Sequence, residues 1–361
     1  MSLQYDQPDS AESVTQSLQE NPSISAATFG AISQVLNLET STTQVVVGSW
    51  DGTGEIQVPV GQTPEMMVVN INQPQGTTVP IIVPESLVLN KVWIFDTDAN
   101  IEITFNTTER VIVMGNGNDV VNVLGDRNTT IDGGDGNDIL ILTGGNDSIT
   151  GGNGNDSISA GAGSDTIVSG VGLDTVDGGL GFDVVQLAGT VEAWTVVVNG
   201  SVVSLSGAPG SGNGVEMQNV EFISFGTALG SQTSIVVTDT VDNKDDAMRL
   251  YQAALDRSAD QGGAQYWLDG ITTGSVNYVE VAGYFLGSSE YAGKYGTQTN
   301  TQFVEQIYQN AFNRSAEEAG LGFWVNALDS GASRAEVLAA ISGSNEAANT
   351  IMNVVVVNSI V

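Results

Sequence analysis

The chain has 361 residues, room for two or three domains, each with a core of its own. Nine Lys plus Arg face 42 Asp plus Glu, a formal net charge of -33 that repels nucleic-acid backbones and anionic membrane surfaces alike. There is no cysteine and no histidine, which excludes disulfide frameworks, thiolate chemistry, Ser-His-Asp triads and H-E-x-x-H zinc sites.

No basic leader followed by an apolar stretch is readable at the N-terminus, and no apolar run approaches the roughly 18 residues of a membrane helix. A soluble chain without membrane insertion is expected. Residues 1–90 predict an α+β or β-rich domain whose role the sequence leaves open. Short helices are expected at Ala11–Glu20 and Ala26–Leu38, then strands near Val45–Val47, Ile56–Val60, Met66–Ile71 and Val79–Val83.

Residues 91–186 read as a parallel β-roll. Ile94, Ile103 and Ile112 recur at a nonapeptide spacing up to Val121, but the acidic column there reads Val92, Ile101 and Arg110. These predict plain capping rungs. Over 114–186 the period of nine is explicit. The clearest units are Gly133-Gly134-Asp135-Gly136-Asn137-Asp138-Ile139-Leu140-Ile141 and Gly151-Gly152-Asn153-Gly154-Asn155-Asp156-Ser157-Ile158-Ser159, with degenerate copies from Met114, Leu124, Leu142, Ala160, Ser169 and Gly178. The sixth position reads Asp119, Thr129, Asp138, Asp147, Asp156, Asp165, Asp174 and Asp183. The eighth is aliphatic throughout, from Val121 to Val185.

This spacing carries chemistry. The glycines allow positive φ and a tight turn, and the three residues after Asp make a short strand whose middle side chain points inward. Two nonapeptides complete one turn, so Asp119, Asp138, Asp156 and Asp174 stack on one edge. Asp147, Asp165 and Asp183 stack on the other, where Thr129 is a weak point. Carboxylates repeated at the ~4.8 Å spacing of neighbouring strands repel one another. Several Ca²⁺ ions seated between loops would turn that repulsion into attraction. A calcium-free β-solenoid or a disordered linker is the plainer alternative, though the unbroken aliphatic column argues against disorder.

The pattern G-G-x-G-x-D-x-U-x resembles the RTX (hemolysin-type calcium-binding nonapeptide) family. The resemblance implies a calcium-loaded roll in a bacterial protein exported by type I secretion, folding outside the cell where calcium is plentiful.

Residues 187–241 predict a β-rich cap of the roll, with strands at Trp194–Val198, Val202–Leu205 and Val220–Phe225. From 242 to 350 the spacing turns helical and a second internal repeat appears. Leu250-Tyr251-Gln252-Ala253-Ala254-Leu255-Asp256-Arg257-Ser258-Ala259 matches Ile307-Tyr308-Gln309-Asn310-Ala311-Phe312-Asn313-Arg314-Ser315-Ala316. Asn277-x-x-Glu280 and Ser333-x-x-Glu336 read as capping boxes, and each copy is expected to hold about three helices. This tandem resembles the DUF4214 family of small helical modules in bacterial surface and secreted proteins. Arg257, Arg314, Trp267 and Trp324 could line a binding site or serve the fold, and recurrence in both copies favours the fold. The apolar tail, 351–361, resembles a type I secretion address, with a last paired strand as the alternative.

The whole predicts a mixed, multi-domain protein: a central calcium-binding parallel β-roll, a β-rich cap and an all-α C-terminal domain. The expected function is a non-catalytic, secreted, calcium-binding protein of the cell surface or extracellular matrix, surface-layer-forming, self-assembling or adhesive. Its expected partners are calcium, further copies of itself and surface polysaccharide. The alternative is a polysaccharide-binding or polysaccharide-modifying protein, for which Lys91, Arg110 and Arg127 are the residual candidate bases.

Overall fold

The computed structural model describes residues 8–21, 24–40, 43–51, 63–83, 87, 90–106, 110–199, 201–226, 232–239, 244–351 and 354–358. The expected strand at Ile56–Val60 lies outside them. The chain divides into two compact units. One comprises residues 1–187, 193–196 and 204–220; the other comprises 188–192, 197–203 and 221–361.

The first unit is a parallel β-solenoid with two walls. One wall runs Val47–Trp50, Met66–Val69, Val92–Phe95, Arg110–Val113, Thr129–Asp132, Ser148–Asn153, Thr166–Val171 and Val184–Leu187. The other runs Thr78–Ile81, Asn100–Asn106, Val120–Leu124, Ile139–Leu142, Ser157–Ser159, Leu173–Asp177 and Gly214–Gln218. Every neighbouring pair is parallel. The inward columns are continuous: Trp93, Ile112, Ile131, Ile149, Ile167 and Val185 pair in one wall. Ile103, Val121, Leu140, Ile158 and Val176 pair in the other. All are essentially inaccessible to solvent.

Two features differ from the sequence reading. The solenoid, expected from residue 91, reaches back to Val47; its first rungs are joined by irregular steps, so no nonapeptide marks them. Ile94, expected to point inward, pairs with Val113 while Trp93 takes the inward place opposite Ile112. Val92 pairs with Val111, a step one residue longer than two nonapeptides. One extra residue moves each side chain to the opposite face.

The outward faces of these early rungs are covered. Helix α1 (Ala11–Gln19) is capped by Ser10 and helix α2 (Ala26–Leu36) by Ser25; Asn37 closes α2 in the left-handed region. Val14, Leu18, Ile32 and Leu36 of these helices bury Val47, Met66, Val68, Val92, Ile94, Val111 and Val113. Strands Met66–Val69, Val92–Phe95 and Arg110–Val113 are therefore buried at every position. Further along, burial alternates, as in Ile139–Leu142.

In the second unit, Phe222–Phe225 pairs antiparallel with Gln232–Asp239, and Val354–Asn358 of the tail pairs parallel with the same strand. Eight helices follow the repeat. The first copy holds α3 (Lys244–Leu255), α4 (Gln261–Thr272), α5 (Tyr278–Leu286) and α6 (Ser289–Tyr295); the second holds α7 (Asn300–Phe312), α8 (Glu318–Asp329), α9 (Arg334–Ser342) and α10 (Asn345–Thr350). Both capping boxes form. Each copy has four helices rather than three, because Ser288 and Ser344 act as N-caps and start an extra short helix. The copies interlock where Asn310 of α7 donates to the Ala253 carbonyl and Gln252 of α3 donates to the Asn310 carbonyl.

Candidate metal centre

The sixth-position acids lie where the nonapeptide turns into its strand, and all seven are at most 3% exposed. One oxygen of each is used by the backbone one turn earlier. Oδ1 of Asp119 accepts the N–H of Ile101, Asp138 that of Asp119, Asp156 that of Asp138, and Asp174 that of Asp156, at 2.6–3.1 Å. On the other edge Asp147, Asp165 and Asp183 accept from Thr129, Asp147 and Asp165 at 2.7–2.9 Å. The structure thus brings the seven acids into the two expected files.

The second oxygen is different. Oδ2 of Asp119, Asp138, Asp147, Asp156, Asp165 and Asp174 is buried, with no hydrogen-bond partner among the described residues. In the clearest units it lies beside the opening glycine of its own turn. A Cβ on Gly133 would sit 2.7 Å from Oδ2 of Asp138, and one on Gly151 2.6 Å from Oδ2 of Asp156. A backbone carbonyl lies closer still, that of Gly151 at 2.4 Å from the first and that of Ser169 at 2.2 Å from the second, so carbonyl and carboxylate together exclude a side chain there.

Removal from water dominates the electrostatics. Burial pushes Asp138 up to about 8, Asp119 and Asp147 up to about 7, and Asp156 and Asp165 up to about 6; Asp174 moves the same way. Bonds from the backbone N–H groups oppose the rise. Like charges within a file add to it: Asp119 and Asp156 act on Asp138, Asp165 acts on Asp147, and Asp174 acts on Asp156.

Among the described residues no three Asp or Glu side chains converge on one point. Carboxylates arrive singly, one per nonapeptide, so a cation would draw its further oxygens from backbone carbonyls, side-chain amides or hydroxyls, or water. Carbonyls stand near the acids in register: the Cβ position of Gly133 has the Gly151 carbonyl oxygen and Asp138 Oδ2 as neighbours, and that of Gly151 has the Ser169 carbonyl oxygen and Asp156 Oδ2. Buried carboxylate oxygens beside stacked carbonyls, with neither nitrogen nor sulfur ligands, suit a hard cation such as Ca²⁺.

Residues 123–158 and 150–185 match the family model of the RTX calcium-binding nonapeptide repeat (4 copies). Residues 123–185 of the roll are RTX repeats. RTX nonapeptides are calcium-binding motifs, so the RTX roll makes the chain a calcium-binding protein. Residues 231–292 and 282–351 match a second model, a domain of unknown function (DUF4214). No curated protein and no solved structure matches the chain.

The sequence reading passed over the fifth position of the RTX repeat. Oδ1 of Asn100, Asn118, Asn137 and Asn155 accepts the N–H of Asn118, Asn137, Asn155 and Leu173, at 2.7–2.9 Å. Asn128 and Asn146 do the same on the other edge for Asn146 and Ser164. These ladders pin successive turns beside the acids. Asn at every fifth position from Asn118 to Asn155 was the available signal.

In the DUF4214 region both arginines tie a loop to a helix start. Arg257 grips Glu290 through Nε and Nη2 at 2.6 and 2.9 Å and donates to the Ser258 carbonyl. Arg314 places Nε and Nη2 on Oε1 of Glu346 at 3.1 and 2.6 Å and donates to the Ser315 carbonyl. Trp267 and Trp324 are half-buried, each edge-on to an exposed neighbour, Tyr266 or Phe323. Of the residual candidate bases, Arg110 is buried against Phe105, whereas Lys91 and Arg127 are exposed.

Proposed function

We propose that the protein is exported and works outside the cell as a non-catalytic structural or adhesive component, its roll folding as calcium binds. In this reading Asp119, Asp138, Asp147, Asp156, Asp165, Asp174 and Asp183, with carbonyls of the glycine turns, hold several Ca²⁺ ions. What carries it is the row of buried carboxylate oxygens that no donor among the described residues satisfies. An ionised carboxylate out of water is strongly destabilising unless a cation or hydrogen bonds compensate it.

Extracellular calcium modules typically bind at ~10⁻⁴–10⁻³ M, well above cytosolic calcium. Free calcium at 100 times Kd stabilises a one-site fold by about 2.7 kcal/mol, and several coupled sites multiply that. The roll would stay open inside the cell and close after export. The tail, 351–361, would serve as the export address even though Val354–Asn358 pairs as a strand. Since the buried acids are committed to ions and the paired arginines to helix starts, the reading assigns the chain no catalytic centre. Its partners would be further copies of itself and surface polysaccharide.

Circular dichroism with EGTA and then with millimolar Ca²⁺ tests the folding, and light scattering on the same samples tests assembly. An unchanged spectrum would remove calcium-driven folding, and a strictly monomeric particle would remove a lattice. Deleting residues 354–361 and assaying the medium tests the address, which undiminished secretion would refute.

A further inference from the structure

We infer that the start of the solenoid, the strands from Val47 to Val113 with helices α1 and α2, whose rungs lack the stacked aspartate files, is a calcium-independent template on which the RTX roll folds from its N-terminal side. The inference rests on the calcium-driven folding proposed above and assigns it a starting point and a direction.

The two stretches of one solenoid are stabilised differently. In the first wall, the rungs from Met66 to Val113 are buried on both faces. Outward they lie under α1 and α2; inward they surround Trp93, which stacks on Phe95 at 6.1 Å and meets Phe105 edge-on at 5.4 Å. Their acidic column holds Ile101 and Arg110, so no stacked carboxylates need neutralising. The Arg110 guanidinium donates to the Asn106 carbonyl at 2.6 Å and lies 4.8 Å from the Phe105 ring centre. Beyond Thr129 the outward faces are largely open, and each turn adds buried carboxylates. Apolar burial alone can hold the first stretch; the second lacks it on one side and carries the electrostatic cost besides.

The template also presents the groups that the first loaded turns require. The N–H of Ile101, which stands at the sixth position of its rung where later turns carry Asp, donates to Oδ1 of Asp119 at 2.6 Å. Strand Arg110–Val113 offers its edge to Thr129–Asp132. Helix α2 overhangs by one rung: the Thr28 hydroxyl donates to Oδ2 of buried Asp132 at 2.9 Å, with the Ser25 hydroxyl 2.8 Å from Thr28 Oγ1. That contact joins the helix cap to a strand whose next residues open the Asp138 turn.

Chain length favours this end. Each new RTX rung pairs with the strand two nonapeptides before it, or one residue further back, as Ile131 does with Ile112 and Ile149 with Ile131. At the far end Gly214–Gln218 joins Leu173–Asp177 across a stretch more than twice as long. A longer loop has a larger closure entropy and a later pairing.

Hydrogen exchange read by mass spectrometry on the full chain tests this, in EGTA and in millimolar Ca²⁺. Peptides from 63–113 should remain protected in EGTA, while those from 133–187 exchange freely and gain protection only with calcium. If both stretches gain protection together, the template inference is overturned while calcium-driven folding stands. If neither stretch responds, the folding proposal fails and takes this inference with it. Thr28→Val keeps the shape of α2 and removes the bond to Asp132. Loss of such a bond lowers a folding constant by roughly tenfold; spread over several ions, the calcium midpoint should rise roughly twofold. An unchanged midpoint would overturn the overhang's part in starting the roll.

Discussion

Oδ1 of Asp156 accepts the backbone N–H of Asp138 at 2.9 Å, while its Oδ2 lies buried with no donor among the described residues. One carboxylate thus performs two tasks, pinning the previous turn and presenting charge. Asp156→Asn separates them, because the amide oxygen can still accept the Asp138 N–H while the charge is gone. Calcium affinity should fall on the order of tenfold, since ligand charge sets affinity at such sites. Asp156→Ala loses both tasks and should also loosen the roll. Calorimetric calcium titrations of the two variants check this; equal affinities for wild type and Asp156→Asn would remove Asp156 from the ligand set.

The RTX roll was legible in the sequence because its geometry leaves a residue-level trace. Tight turns demand glycine, the inward strand position demands an aliphatic side chain, and Asp138, Asp156 and Asp174 recur at the turn's period. The earlier rungs left no such trace. Met66 pairs with Val92 and Thr78 with Asn100, steps that are longer than two nonapeptides and differ from each other, and ordinary apolar strands fill both walls. Trp93 displaced Ile94 through a single extra residue that a fixed count of nine could not register. The Asn column was visible but resembled ordinary turn chemistry; its role emerges only when Asn137 is found one turn from Asn155.

Acid should stabilise the calcium-free roll. Asp138 at about 8, Asp119 at about 7 and Asp156 at about 6 lie above the ordinary 3.8 of an unfolded aspartate, so folding takes up protons between those limits. Stability should therefore rise as pH falls from about 8 to about 4 and level off below that, the reverse of a salt-bridged aspartate. Each carboxylate that binds a proton on folding contributes a slope of about 1.4 kcal/mol per pH unit. Circular dichroism in EGTA across this range checks the sign, since the open roll should gain strand signal as pH falls. Where acid has already closed the calcium-free roll, calcium loading should release protons, measurable as a buffer-dependent binding enthalpy.

Two glycines should respond in opposite ways to alanine. Gly154 has φ +132°, and a Cβ there would lie 1.7 Å from the Gly136 carbonyl oxygen. Backbone strain and overpacking together should lower the stability of the calcium-loaded roll by roughly 3 kcal/mol or more. Gly322, within α8, has nothing within 4 Å of its added Cβ. Gly322→Ala should stabilise the helical unit by about 0.5–1 kcal/mol through helix propensity. Melting curves with calcium present distinguish the two.

The paired arginines differ in how they hold their glutamates. Arg257 reaches both oxygens of Glu290, through Nε to Oε1 and Nη2 to Oε2. Arg314 places Nε and Nη2 on one oxygen of Glu346. A planar fork matched to a carboxylate keeps its geometry at little entropic cost, which a lysine cannot reproduce. Both arginines are about a third exposed, so solvent screens the interaction and the coupling stays small. Double-mutant cycles should give roughly 0.5–1 kcal/mol for Arg257 with Glu290 and less for Arg314 with Glu346. Arg257→Lys should lose most of that coupling although the charge is kept. Equal couplings at the two positions, or full rescue by lysine, would mean that charge rather than the fork ties these loops to their helices.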